Sequence, residues 1–227
     1  MVQILHVLLG IFRTQEEVGI YGAPYKVLEV LVTLPAMFVG LILSPLSESF
    51  EKKDNVRFQK IFQRSFDTLA AMAFPLALGG FIVAKPLMLL IAGPDFTEQP
   101  EVLGALFRIL AWAVAIIFFG TLTGYAVVVV GKQIKMLKGY AWVGASSLIL
   151  YLIFIPRYSY WGAVGVTLYS EIAIVIFGLY YIFQATHFFP SLKNFFKTLG
   201  AALAMAVFLW ILQEQSIFLL IPLGVFV

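Results

Sequence analysis

The sequence predicts an all-α, polytopic bundle of transmembrane helices. Three observations predict it. Hydrophobic residues make up 62% of the chain and charged residues only 12%, about half the charged share of a soluble domain. The apolar residues fall in runs near 20 residues long, the length a helix needs to cross a bilayer. The basic residues between those runs alternate in abundance from one connection to the next.

The spans are read in order. Complete ones are expected at 25–46, 66–91, 102–130, 137–155 and 162–183, and a shorter sixth at 196–212. Partial spans are expected at 1–12 and 217–227, giving about six full spans with a fragment at each end. Residues 1–12 lack a basic leading segment and a small-residue cleavage site, so they read as part of a membrane helix and not as a removable signal. No soluble domain interrupts the chain, and 1–227 is expected to form a single helical domain.

The connections set the orientation. The segments 47–64, 131–138 and 185–197 hold five, three and two Lys or Arg, ten in all. The intervening segments 13–23, 93–101, 156–161 and 213–216 hold two, Arg13 and Arg157. Lys and Arg resist translocation, so the three basic segments are expected on the cytoplasmic side of the cell membrane. Val56, Ile61 and Phe62 suggest that 47–64 carries a short helix lying in the interface, and 190–196 is read the same way. Tyr158, Tyr160 and Trp161 are expected to form an aromatic belt at the outer interface.

Several chemistries are excluded or disfavoured. The chain has no cysteine, hence no disulfide, thiolate metal site or cysteine nucleophile. Two distant histidines, His6 and His187, make a metal cluster unexpected, and no cofactor is expected. The net charge of +3 is too small to point to nucleic acid. Gly131-Lys132-Gln133 is not a phosphate loop: Gly124 is at the wrong spacing and no Ser or Thr follows the lysine. A membrane transferase would gather acids or histidines in an outer loop. The only such cluster is Asp95, Glu98 and Glu101 in the short "GPDFTEQPE", so the chain is not read as an enzyme.

Ionisable groups inside spans are costly and mark functional positions. Six stand out. Lys26 and Glu29 share one span three residues apart, and can pair on one helix face. Asp67 lies near the cytoplasmic start of the next span, where Arg64 is a neighbour. Lys85 and Arg108 lie in the outer parts of their spans; Lys85 can snorkel, whereas a guanidinium at 108 wants an anion or a carboxylate. Glu171 is about ten residues into its span and therefore near mid-bilayer. A carboxylate at that depth suits a proton-coupled site. Pro35, Pro75 and Pro86 should bend their helices, and Gly120-x-x-x-Gly124 offers a face for close helix contact.

Two stretches carry a family resemblance. "EEVGIYGAPYKVLEVLVTLPAMFVGLILSPLSE", residues 16–48, resembles a segment of the polysaccharide and O-antigen flippases of the multidrug/oligosaccharidyl-lipid/polysaccharide exporter superfamily. Its features are Gly19-x-Tyr21, the aromatic-Lys-Glu helix start, Pro35 and Pro45-Leu46-Ser47. "IPRYSYWGAVGVTLYSE", ending at Glu171, resembles the family's "IP-x-aromatic-x-x-GA" turn and following helix. Ser146 and Ser147 stand where the family often has an asparagine. The family has two helical bundles, and the chain resembles the second alone, beginning partway through its first helix.

The resemblance implies a lipid-linked oligosaccharide, on a polyprenyl pyrophosphate, moved between leaflets by alternating access. A pyrophosphate needs cationic partners, and Arg108, Lys26 and Lys85 are the available ones for pyrophosphate or sugar contacts. Depth and charge, and no motif position, give ion or proton coupling to Glu171, Glu29 or Asp67. A separate N-terminal half is a possible partner. The alternatives are an inactive truncated fragment, a drug exporter or peptidoglycan-precursor flippase of the same superfamily, and a lipid-carrier-dependent transferase.

Overall fold

The computed structural model describes residues 14–92 and 100–211, with Gly10 and Phe12. The expected partial spans at 1–12 and 217–227, and Asp95 and Glu98, lie outside this set, Gly10 and Phe12 aside. The described chain is helical throughout: α1 (Gln15–Leu31), α2 (Thr33–Glu51), α3 (Asn55–Ile82), α4 (Ala84–Ala92), α5 (Pro100–Val129), α6 (Gln133–Thr186) and α7 (Lys193–Ile211). Five helical stretches among these residues are long and apolar enough to cross a membrane.

Proline explains two of the breaks. Pro35 has no N–H for the Leu31 carbonyl, and α1 gives way to α2 at Val32, whose own N–H still bonds Leu28. The span expected at 66–91 is broken at Val83, because Pro86 cannot donate to Ile82. The result is a long α3 and a nine-residue α4. Pro75 is accommodated inside α3 without interrupting it.

α6 is 54 residues long, about 81 Å if straight, far more than the roughly 30 Å core of a bilayer. It is not straight. Ser159 leaves the helical region (φ 51°, ψ −133°), and the chain folds back into an antiparallel hairpin with limbs at 133–158 and 160–186. Lys135 donates to Gln184 at 3.2 Å, the Ser146 and Tyr169 hydroxyls meet at 3.0 Å, and those of Tyr151 and Thr167 at 3.3 Å. These contacts run in one register. The connection expected over 156–161 is thus a sharp reversal at one residue. Gly162 permits it: a Cβ there would lie 2.6 Å from the Phe154 carbonyl oxygen.

α5 is the central helix. Of the candidate spans it has the largest buried share. It packs on α1, α2, α3, α4 and α6, and Phe119 meets Phe195 of α7 at 5.8 Å. α5 and the second limb of α6 lie side by side through small residues. Gly120 faces Val175, and a Cβ on Gly178 would lie 2.7 Å from the Thr123 side chain. The Gly120-x-x-x-Gly124 face is therefore used inside the chain, against α6.

The three basic segments come together at one end of the bundle. There Gln63 pairs with the Ser191 backbone, and Phe62 meets Phe188 edge-on at 6.2 Å. The expected interfacial helix in 47–64 is instead the first turns of α3. Asp54 caps it by accepting from the Arg57 N–H at 2.9 Å, and Phe58 and Phe62 are fully buried while Val56 is exposed. Likewise 190–196 is no separate interfacial helix: α7 begins at Lys193. The opposite end holds the hairpin turn, where Ser159 donates to Glu17 at 2.8 Å.

Candidate functional site

The second limb of α6 places Glu171 twelve residues past Ser159, about 18 Å along the helix and near the middle of the membrane-spanning length. Glu171 lines a cleft of about 410 Å³, shared with Ile117, Gly120, Thr121, Gly124, Tyr125, Val128, Tyr140 and Ile174. Three elements build it: α5 and both limbs of α6. The close approach allowed by Gly120 and Gly124 forms its floor, and the Tyr140 hydroxyl stands 3.4 Å from where a Gly124 Cβ would be. Thr121 is already bonded to the Ile117 carbonyl at 2.9 Å. Among the described residues, none donates a hydrogen bond to Glu171.

α1 brings a second polar stripe to the same level. Tyr21 and Tyr25 stack at 5.7 Å, and the buried Tyr21 hydroxyl meets that of Thr167 at 3.4 Å. Tyr25 lies within electrostatic reach of both Glu171 and Glu29, and Tyr140 and Tyr151 within reach of Glu171. Lys26 and Glu29 are exposed on α1. The expected ion pair between them is not formed. The structure thus brings Glu171 and Glu29 to one region around Tyr25, with Lys26 beside them in sequence.

The other three expected residues lie elsewhere. Lys85 is ion-paired with Glu101 where α4 meets the start of α5. Close by, Arg108 donates through Nε to the Phe81 carbonyl at 3.3 Å and lies over the Phe81 ring, 5.6 Å from its centre. No carboxylate among the described residues pairs with Arg108. Asp67 belongs to a structural clamp at the basic end. It accepts from Gln63 at 2.9 Å and from Asn194 at 2.7 Å, tying α3 to the start of α7.

Sequence reasoning missed Tyr125, Tyr140 and Thr121 as members of the Glu171 cleft. They count as ordinary span residues in a hydropathy pattern. The one available signal was that Thr121 and Tyr125 interleave with Gly120 and Gly124. It also missed Glu17, which holds the hairpin turn through Ser159.

A second cleft, of about 530 Å³, opens near the turn between the two limbs of α6. Leu150, Phe154, Tyr158, Trp161, Gly165 and Tyr169 are among its lining, and no charged residue is.

Fold and site together define a class: a polytopic helical bundle of membrane-span length that carries ionisable groups midway along its apolar helices. The family model described as polysaccharide biosynthesis protein matches residues 1–100. That is less than half of the chain. It includes the 16–48 stretch that carries the resemblance, and it leaves the "IPRYSYWGA" turn and Glu171 outside. This N-terminal part of the chain is similar to polysaccharide biosynthesis proteins. No curated protein and no solved structure matches the chain.

Proposed function

We propose that the chain moves a polyprenyl-pyrophosphate-linked oligosaccharide across the cytoplasmic membrane by alternating access, as the second bundle of a two-bundle exporter. It acts as a transporter and not as an enzyme. The observation that carries the reading is the mid-membrane polar region: Lys26 and Glu29 exposed on α1, and Glu171 in the cleft beside them. Charged groups at that depth are unfavourable against lipid and are found facing a water-filled path or another protein surface. The similarity of residues 1–100 to polysaccharide biosynthesis proteins supports a glycan cargo over a drug.

The residues divide by what they touch. Arg108 is the foremost pyrophosphate ligand, because its guanidinium retains donors for a bidentate contact. Lys85 is engaged by Glu101 and would act with it; Lys26 meets the cargo at mid-membrane. Glu171 and Glu29 are the coupling groups. Asp67, held by Gln63 and Asn194, serves the α3–α7 joint in this reading. The basic end faces the cytoplasm, and a first bundle covers the face bearing Lys26 and Glu29.

Deletion of the gene in its host tests this. Lipid-linked oligosaccharide should build up in the cytoplasmic leaflet and surface polysaccharide should be lost. The wild-type chain should restore both, and Arg108→Ala at equal expression should not. Unchanged polysaccharide with no lipid-linked build-up would favour an inactive fragment and overturn the reading.

A further inference from the structure

The Glu171 cleft has features that a proton site alone does not need. A group that only exchanges protons requires a path for water. This cleft has walls: the Tyr125 and Tyr140 rings, 39% and 41% exposed, and a floor from which side chains are missing at Gly120 and Gly124. Its volume, about 410 Å³, falls in the range of about 300–1,000 Å³ typical of small-molecule sites. Its polar groups are few and convergent: one carboxylate, the two phenol hydroxyls and Thr121. A carboxylate accepts hydrogen bonds at both oxygens, and a phenol both donates and accepts.

That set matches one chemical class. A pyranose ring has an apolar C–H face that packs on an aromatic ring, and an edge of hydroxyl groups that hydrogen-bond to carboxylates and phenols. A bare alkyl chain would leave Glu171 without a partner, which is costly in a dry site. A phosphate would meet a carboxylate, and like charges repel. We propose that the Glu171 cleft is a sugar subsite. One pyranose unit of the cargo stacks on Tyr125 or Tyr140, and its hydroxyls donate to Glu171.

The subsite rests on the transport reading and deepens it. The cleft and Arg108 lie at different levels of the bundle, so glycan and pyrophosphate contacts are separated along the path. Glu171 then has two uses. With sugar present it accepts hydroxyl donors; without sugar it is available to a proton. Among the described residues, the groups facing it are Tyr25 from α1, Tyr125 from α5, and Tyr140 and Tyr151 from the first limb of α6, with Glu29 beyond Tyr25.

The test uses the full chain in detergent micelles and two probes. One is lipid-linked oligosaccharide extracted from the host; the other is the free glycan released from it by mild acid. Binding is read by saturation-transfer NMR and by calorimetry. The free glycan should bind weakly, and Glu171→Ala should weaken it about tenfold, the usual effect of losing a hydrogen bond to a charged group. Glu171→Gln retains an acceptor and should weaken glycan binding less than Glu171→Ala, while still removing proton exchange. Tyr125→Ala should weaken it, Tyr140→Phe should weaken it less than Tyr140→Ala, and Trp161→Ala in the other cleft should do nothing. Tyr125 is exposed enough that its removal leaves the fold standing, so a folding defect at one position does not decide the matter. If the lipid-linked probe binds and the Glu171 and Tyr125 variants leave glycan binding unchanged, the subsite is wrong and the transport reading stands. If neither probe binds the wild-type chain, both are wrong.

Discussion

The α6 hairpin borders two clefts that differ in kind. The one near its turn is walled by Phe154, Tyr158, Trp161 and Tyr169 and lacks a charged residue. The one deeper in the bundle, against α5, contains Glu171 with two phenols and a threonine. Both draw lining residues from the same 54-residue stretch, so hydropathy averaged over that stretch cannot separate them. What separates them is helix face: Trp161, Gly165 and Tyr169 repeat every four residues on one side, and Glu171 and Ile174 lie on another. The lesson is that polarity in this bundle is organised by face, not by span. One face is indistinguishable from a lipid-facing surface, and the other gathers a carboxylate, two phenols and a threonine.

The comparison can be broken most severely at the glycines that hold the helices close. Gly162→Ala should be the most damaging, since its Cβ would meet the Phe154 backbone oxygen at 2.6 Å and backbone cannot turn aside. Overpacking of this kind costs about 1–3 kcal/mol, seen as a lower thermal midpoint in detergent. Gly178→Ala, facing the Thr123 side chain at 2.7 Å, should cost somewhat less. Gly165→Ala, whose Cβ would meet nothing within 4 Å beyond its own helix backbone, should be neutral or slightly stabilising. Equal effects at all three positions would contradict the packing described.

A smaller effect is expected at the joint between α3 and α7. Asp67→Ala removes two accepted hydrogen bonds, a loss of about 0.5–1.5 kcal/mol for partly exposed partners. Glycan binding should be untouched, because Asp67 does not line the Glu171 cleft. A selective loss of transport with unchanged stability would return Asp67 to the coupling groups.

The smallest structural effects are expected from Lys26→Ala and Glu29→Gln. Both side chains are exposed and neither is ion-paired to the other, so stability should shift by less than about 0.5 kcal/mol. Transport should nonetheless fall. Normal transport in both variants would mean that the α1 stripe is not part of the cargo path.

The spans were legible because a run of about 20 apolar residues has few other uses. Their ends were less so. The first turns of α3 mix Arg57, Lys60 and Arg64 with Phe58 and Phe62, a pattern shared by an interfacial helix and by a helix that another segment covers. Phe62 is buried where Phe188 arrives from 126 positions further on. The reversal at Ser159 was visible as a break, but not its tightness, which depends on one backbone conformation and on Gly162. Glu171 could be singled out from depth alone. Its cleft could not, because Tyr125 and Tyr140 come from different helices and meet only where Gly120 and Gly124 let α5 and α6 approach.

The absence of cysteine makes the central claim directly measurable. Single cysteines would be placed at Thr121, in the Glu171 cleft, and at Gly165, in the other. Each full chain would be treated in native membranes with a water-soluble, membrane-impermeant maleimide. If the Glu171 face lines a hydrophilic path, Thr121→Cys is labelled and protected by added lipid-linked oligosaccharide, while Gly165→Cys stays unlabelled. Labelling at Gly165→Cys with none at Thr121→Cys would contradict the account, and the charged groups of the bundle would then need structural explanations alone.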